Sequence, residues 1–451
     1  MIDALLLSRI QFGLSLGVHF IFPPLTLGIA FYIVLFESAF AATKQPCYRT
    51  ISAFLVRLLS LIFTLGVATG ILLPFSFGAN WSKFSIFSGE LFGVQLAVEA
   101  LTAFTVESIC IGILLFGRER VRPAIYLLAA IAVFLASHLS AFWIISANSW
   151  MQTPAGYVVA NGSVVLVDFW KAIFNPSAMV RFLHTVTAAW LTGTVAVCGI
   201  GGYLLRRNDQ GGLGRRILRI GIPIFAITAL SQLVIGHSQN MNVLHNQPAK
   251  EAAYDGMFHS RRGAPLYLFG IPDANHKTIH CAIGIPKLLS FLESYSFNGE
   301  TKGLDEYDQQ TLPPVNVIFT TFHVMVAIGF ILIGTGITGL VLLLRRRLFA
   351  APWFLRMLPF LVPLPLLANE LGWIGAEIGR QPWVVYGLLR THDAVSPALQ
   401  GNRVLLTLIM LSLVHAAILV SFIYFGLRMV KEGPHPEDAS MKKPETADRG
   451  S

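Results

Sequence analysis

The sequence predicts an all-α integral membrane protein with nine transmembrane helices, N-terminus periplasmic and C-terminus cytoplasmic. Three observations carry this. Of 451 residues, 54% are hydrophobic and only 13% charged, against about 25% charged in soluble domains. Nine apolar runs reach the roughly 20 residues that a helical span needs. Lys and Arg gather in alternate loops between those runs, the asymmetry that orients a polytopic chain.

The runs lie at 12–37, 52–76, 91–116, 123–147, 179–205, 217–236, 315–344, 354–377 and 404–428. Long unbroken runs are helices rather than barrel strands, which alternate in polarity. The first run is followed by Ala39-Phe40-Ala41, similar to a signal-peptide cleavage site. The run is longer than a signal-peptide core of about 7–15 residues, contains His19 and ends at Glu37. It therefore reads as a retained first span. Basic residues follow run 1 (Lys44, Arg49), run 3 (Arg118, Arg120, Arg122), run 5 (Arg206, Arg207, Arg215, Arg216, Arg219), run 7 (Arg345, Arg346, Arg347, Arg356) and run 9 (Arg428, Lys431). These ends face the cytoplasm by the positive-inside rule.

Four regions follow: helices 1–6 over 1–236, an outer loop over 237–314, helices 7–9 over 315–432, and a polar tail over 433–451 that reads as disordered. The outer loop mixes turn signals with Tyr254, Phe258, Tyr267 and Phe269, so a folded, functional loop is expected rather than a linker. The net charge of +9 does not point to nucleic acid, because the basic residues sit in short loops between spans. Four cysteines without CxxC spacing make neither a disulfide framework nor a zinc site. No internal repeat is evident, which argues against a secondary transporter.

Ionisable residues inside spans are costly and mark function by default. Given the orientation, His19, His184, the pair His323 and Met325, and Glu377 come from four separate helices yet share the outer half of the bilayer. Imidazole and thioether are common axial partners of haem iron. Alone, a helical His is more often a hydrogen-bonded packing residue and a Met is more often core filler; the shared depth weighs against that for the group. His323 and Met325 are two residues apart, about 200° of helical rotation, so only one can face a given haem. Trp373, Glu377 and Arg380 share one helix face, suiting a ring, an iron and a propionate; a buried ion pair beside a Trp is the plainer alternative. Glu99 and Glu107, about 12 Å apart along one helix, read as a proton relay into the bilayer, or as carboxyls bonded to neighbouring helices.

The segment Gly372-Trp373-Ile374-Gly375-Ala376-Glu377-Ile378-Gly379-Arg380-Gln381-Pro382-Trp383 resembles the GWxxxExGRQPW signature of subunit I of the cytochrome bd-type quinol oxidases. Ser8-Arg9-Ile10-Gln11-Phe12, Gly66-Val67-Ala68-Thr69-Gly70, Gly78-Ala79-Asn80-Trp81-Ser82, Phe182-Leu183-His184-Thr185-Val186 and Phe269-Gly270-Ile271-Pro272-Asp273 also match, so the resemblance covers all nine runs. It implies that His184 and Met325 ligate a low-spin haem b. His19 and Glu377 would each hold one of two high-spin haems, with His19 favoured for the O2-reactive one. Arg9 and Arg380 would neutralise propionates, and Glu99 and Glu107 would line the proton path. Within Gln247-Pro248-Ala249-Lys250-Glu251-Ala252-Ala253-Tyr254-Asp255, Lys250 and Asp255 would meet quinol; Asp255 stands where the family usually has glutamate. His323 stands where some members have arginine.

The resemblance further implies two haem b and one haem d, or a third haem b, in a short-loop member similar to the cyanide-insensitive oxidases. It implies a multi-pass subunit of the bacterial inner membrane that oxidises ubiquinol or menaquinol, reduces O2 to water with cytoplasmic protons, and generates proton motive force without pumping. A second large subunit (subunit II) and a small single-span subunit are the expected partners. An electron-transfer cytochrome b that never meets O2 is the nearest rival. A haem–copper oxidase needs an adjacent His pair, and no His-His occurs.

Overall fold

The computed structural model describes residues 3–208 and 212–434; the tail expected from 433 therefore lies, from 435 on, outside the described residues. Among the described residues there are nine helices long and apolar enough to cross a membrane: α1 Ala4–Thr43, α2 Pro46–Asn80, α3 Ser82–Phe116, α4 Pro123–Gln152, α5 Ala178–Arg207 and α6 Leu213–Asn246, then, after the loop, α9 Val315–Leu344, α10 Pro352–Ile378 and α11 Gly401–Glu432. Each contains one of the nine apolar runs. Two short helices in the loop are α7 Pro248–Tyr254 and α8 Leu288–Ser294.

Where the helices outrun the apolar runs, the reason is protein contact replacing lipid. Helix α1 begins at Ala4 rather than near residue 12, breaks at Ile21 before Pro23 and Pro24, and continues; proline there lacks the amide that would bond one turn back. Its first half packs on α11, its second on α2, α4 and α5. Helix α6 continues ten residues past its apolar run to Asn246, because its last turns carry the loop rather than face lipid. Helix α3 contains a π segment, Ala100–Phe104, between Glu99 and Glu107. One extra residue in that turn absorbs about 100° of rotation, which swings the two carboxyls closer to one line than an unbroken α-helix would.

The core is held between helices, with Tyr32 and Phe36 of α1, Phe54 of α2, Phe225 of α6 and Phe354 of α10 fully buried. Helices α1 and α5 approach so closely that a Cβ on Gly28 would lie 2.5 Å from the Gly193 Cα; small residues permit such contacts in membranes. Large apolar side chains such as Phe75, Phe360 and Leu413 stay exposed, as expected of surfaces solvated by lipid. The loop is folded: Val243, Ala253, Tyr254, Phe258, Leu289 and Ile318 form one cluster joining it to α6 and α9. It docks at the end of the bundle where α4 and α10 finish, through bonds from Lys250 to Gln152 and Ala376.

Candidate functional site

The last turn of α10 presents Glu377 to the last turn of α4. Asn148 Nδ2 donates to Glu377 Oε1 at 3.0 Å, and Gln152 Nε2 to the same atom at 3.4 Å. Arg380, one turn on, donates to Glu377 Oε2 at 2.5 Å and is itself buried. Arg181, from the start of α5, donates to Asn148 Oδ1 at 2.5 Å and to Ser149 Oγ at 3.3 Å. From the loop, Lys250 Nζ donates to Gln152 Oε1 (3.2 Å), Gln247 Oε1 (3.1 Å) and the Ala376 carbonyl (2.8 Å). Gln152 thus bridges Lys250 and Glu377. Burial, reinforced by the Arg181 charge, lowers the Lys250 ammonium to about 7, so it can gain or lose a proton near neutrality.

Helix α7 has two faces. Lys250 and Tyr254 are four residues apart and share the side turned to α4 and α10, the ammonium 6.0 Å from the tyrosine ring centre. Glu251 and Asp255 share the other, against Asn240 of α6 and Glu293 of α8. The structure therefore brings Lys250 to Glu377 but turns Asp255 away from both.

His184 on α5 lies beside Gln232 of α6, whose Nε2 is 3.2 and 3.4 Å from the two ring nitrogens. Met325 on α9 faces α10 at Gly372. His323 points elsewhere: its Nδ1 is 2.9 Å from the Phe319 carbonyl, its Nε2 is 2.9 Å from the Tyr267 carbonyl in the loop, and its ring stacks on Phe319. The competition between His323 and Met325 thus ends with the imidazole tying α9 to the loop. Trp373 is half-buried, next to the glycine that meets Met325 and one turn before Glu377.

His19 sits at the break in α1, its Nδ1 3.0 Å from Thr69 Oγ1. The Thr69 hydroxyl donates to backbone carbonyls, Gly66 at 2.9 Å and Leu65 at 3.1 Å. A hydroxyl has one proton; while Thr69 spends it on a backbone carbonyl, Nδ1–H donates to Thr69 and Nε2 keeps its lone pair, the arrangement a ligating histidine needs. Ser140 Oγ donates to Glu99 at 2.7 Å, whereas Glu107 is buried with no partner on Oε1. Arg9 is exposed, and no ion pair joins it to the Glu377 cluster among the described residues.

Sequence reasoning passed over Arg181, Asn148, Gln152 and Glu370. Asn148 and Gln152 fall just beyond the apolar run of α4. Arg181 lies one turn before His184, and Glu370 lies seven residues before Glu377 on the same helix face, so both spacings carried a signal. Glu370 Oε1 is buried without a partner, and its Oε2 would lie 3.3 Å from a Cβ on Gly17, beside the His19 helix.

These residues fit haem. Two imidazoles, a thioether and a carboxylate form an axial donor set. Three of the four face a glycine: a Cβ on Gly70 would lie 3.0 Å from His19 Cε1, one on Gly236 3.7 Å from His184 Cε1, and one on Gly372 2.8 Å from Met325 Sδ. The missing side chains let each donor pack directly against the neighbouring helix. Arg380 Nη1 is buried without a hydrogen-bond partner, which suits an incoming anionic group such as a propionate.

The comparisons with known proteins agree. Residues 7–434 match the family model of cytochrome bd terminal oxidase subunit I. The chain is 34% identical over 439 residues to cytochrome bd ubiquinol oxidase subunit 1 of Bacillus subtilis (strain 168), covering 95% of this chain and 94% of that relative. It is 30% identical over 500 residues to cytochrome bd-II ubiquinol oxidase subunit 1 of Escherichia coli (strain K12), covering 96% and 97%. The bd oxidase structure from Geobacillus thermodenitrificans superposes with a TM-score of 0.89 at 27% identity, covering 96% of this chain and 99% of that one. A nine-span bundle with these donors, matched along nearly its whole length, belongs to the cytochrome bd terminal oxidase subunit I family of multi-pass respiratory oxidoreductases in the bacterial inner membrane.

Proposed function

We propose that this chain is the haem-bearing subunit of a quinol:O2 oxidoreductase that oxidises ubiquinol or menaquinol at the periplasmic side and reduces O2 to water with cytoplasmic protons. The observation that carries this is the bridge through Gln152, which joins Lys250 of the loop to the carboxylate of Glu377. Bound haem supplies one-electron transfer and an open iron face for O2. His184 and Met325 would hold the low-spin haem b. His19, through Nε2, and Glu377 would each hold one high-spin haem, the set being two haem b and one haem d or a third haem b. Arg380, with an uncommitted Nη1, and Arg9 would take propionates, and Trp373 would lie against a macrocycle.

Lys250, poised near neutrality, would hydrogen-bond a quinol hydroxyl from one face of α7, while Asp255 acts on the quinol end from the other. Glu107 and then Glu99, aligned by the π segment, would pass protons from the cytoplasmic side towards the haems, Ser140 fixing the second carboxyl. Arg118 and its partner Glu37 (2.6 Å) lie at the loop ends expected in the cytoplasm, opposite the quinol loop. Quinol protons released outside and O2 protons drawn from inside separate charge without a pump. Subunit II and a small single-span subunit would complete the complex.

The test is O2 uptake by the purified complex with quinol, together with a reduced-minus-oxidised spectrum and proton movements in proteoliposomes. Quinol-driven uptake, CO binding to the reduced protein and external acidification limited to the quinol protons are expected. A complex that carries haem but takes up no O2 and binds no CO would favour an electron-transfer cytochrome instead.

A further inference from the structure

The second face of α7 meets an acid group of which the oxidase reading uses only Asp255. Glu251, Asp255 and Glu293 each offer one carboxylate oxygen, and these oxygens lie within 4.8 Å of one another. Glu251 and Asp255 are 1% and 3% exposed. No donor reaches Asp255 Oδ2 or Glu251 Oε2, although both side chains are enclosed. The donors nearby are few: Asn240 Nδ2 donates to Glu251, and Thr301 Oγ1 donates to Glu293 Oε2 at 2.6 Å. Lys250 adjoins Glu251 in sequence but commits its ammonium to Gln152, Gln247 and Ala376 on the opposite face, so it does not close the cluster.

Enclosed carboxylates without donors are costly unless protons or a cation compensate them. One proton shared between Glu251 and Asp255 satisfies a pair; the third carboxyl, Glu293, within the same 4.8 Å, has only the Thr301 hydroxyl. We propose that Glu251, Asp255 and Glu293 bind one oxygen-preferring divalent cation of the Ca2+ class, which clamps α7 to α8 and to the end of α6. Hard cations take carboxylate and amide oxygens, and Asn240 supplies an amide oxygen once its side-chain amide is turned over. Burial raises all three carboxyls above their usual range, reinforced at Glu251 by Asp255 and Glu293 and at Asp255 by Glu293; cation binding reverses this and releases protons. With the cation in place, Asp255 acts on the quinol end by fixing the position of α7. The proposal stands on the acid cluster alone and does not depend on which haem each ligand holds.

The experiment uses the purified, haem-loaded complex after chelation, titrated with CaCl2 by calorimetry and by thermal unfolding. One saturable site per chain is expected, with a dissociation constant on the order of 10⁻⁴–10⁻³ M, the range of extracellular modules, accompanied by a higher unfolding temperature and proton release. Glu251→Gln and Glu293→Gln should each weaken binding at least about tenfold while the haem spectrum, which reports folding, is unchanged. Absence of a saturable site, or a site that survives in the double variant, overturns the proposal. So does a double variant that is more stable than the parent at every Ca2+ concentration, which would identify a proton-sharing acid group instead. Failure of the oxidase reading would appear in O2 uptake and CO binding and leave the calorimetry untouched.

Discussion

Glu377 and Glu107 are both carboxyls carried on membrane-spanning helices, and their surroundings are opposites. Glu377 receives hydrogen bonds from Asn148, Gln152 and Arg380, with Arg181 and Lys250 one bond further out. Glu107 is buried, yet its Oε1 has no partner. A carboxylate held by three donors is fixed in place and orientation, which suits a ligand or an anchor for buried cations. A carboxyl with a spare oxygen can take up and hand on a hydrogen bond, which suits a relay. The same residue type therefore does different work according to how many donors its neighbours supply.

Glu377→Gln attacks the fixed member and carries the largest expected effect. It leaves Arg380 and Arg181 without their shared anion, and breaking one partner of a buried pair costs about 3–5 kcal/mol. The expected outcome is a lower unfolding temperature and fewer haems per chain by pyridine haemochrome analysis. A variant with full haem content and unaltered unfolding would remove Glu377 from the ligand set.

Glu107→Gln attacks the relay. Shape is preserved and Oε1 had no bond to lose, so stability should stay within about 1 kcal/mol of the parent and haem content should not change. Turnover with quinol should fall by about 10²–10⁴, the usual contribution of a positioned proton carrier. Unchanged turnover would mean that protons enter elsewhere, and Glu370, with its own unpartnered oxygen, would be the next residue to vary.

Lys250 joins the fixed cluster to the quinol loop, and its effect is one of pH. Its ammonium is lowered to about 7 by burial and by Arg181, against about 10.4 unfolded. The unfolded chain therefore binds more protons between those values, so this group lets stability rise as pH increases from about 7 towards 10. The apparent KM for quinol should show an inflection near pH 7 that Lys250→Met removes and that Lys250→Arg, charged throughout, shifts out of range. Persistence of the inflection in Lys250→Met would assign it to another group.

Nine spans were legible because hydrocarbon imposes one rule, an apolar run of fixed length. His19, His184 and Glu377 were picked out as candidate ligands because an ionisable residue in such a run stands out. What escaped was of two kinds. Asn148 and Gln152 lie in the helical turns beyond the apolar run, where polar residues are ordinary and only their target, Glu377, reveals their use. The split of Lys250 and Asp255 onto opposite faces follows from a spacing of five in a helix, about 140° apart; motif matching placed them together because it reads order along the chain and ignores rotation. The π segment left no compositional mark, since Ala100–Phe104 are ordinary helix residues and the extra residue shows only in the backbone.

The smallest effect tests clearance rather than charge. A Cβ at Gly372 would lie 2.8 Å from Met325 Sδ, closer than carbon and sulfur sit. The contact is with the far end of a flexible side chain, so the thioether can swing aside, and Gly372→Ala should cost no more than about 1–3 kcal/mol, the range for a tight core insertion. If Met325 ligates the low-spin haem, even that small swing moves the sulfur from the iron's axis. The low-spin band in the reduced spectrum should then shift or broaden, with haem content and fold retained. If Met325 is only core filler, a thioether displaced by a few tenths of an ångström leaves the spectrum as it was. A small steric change thus separates the two roles of this methionine more cleanly than deleting it, because deletion would disturb packing and ligation together.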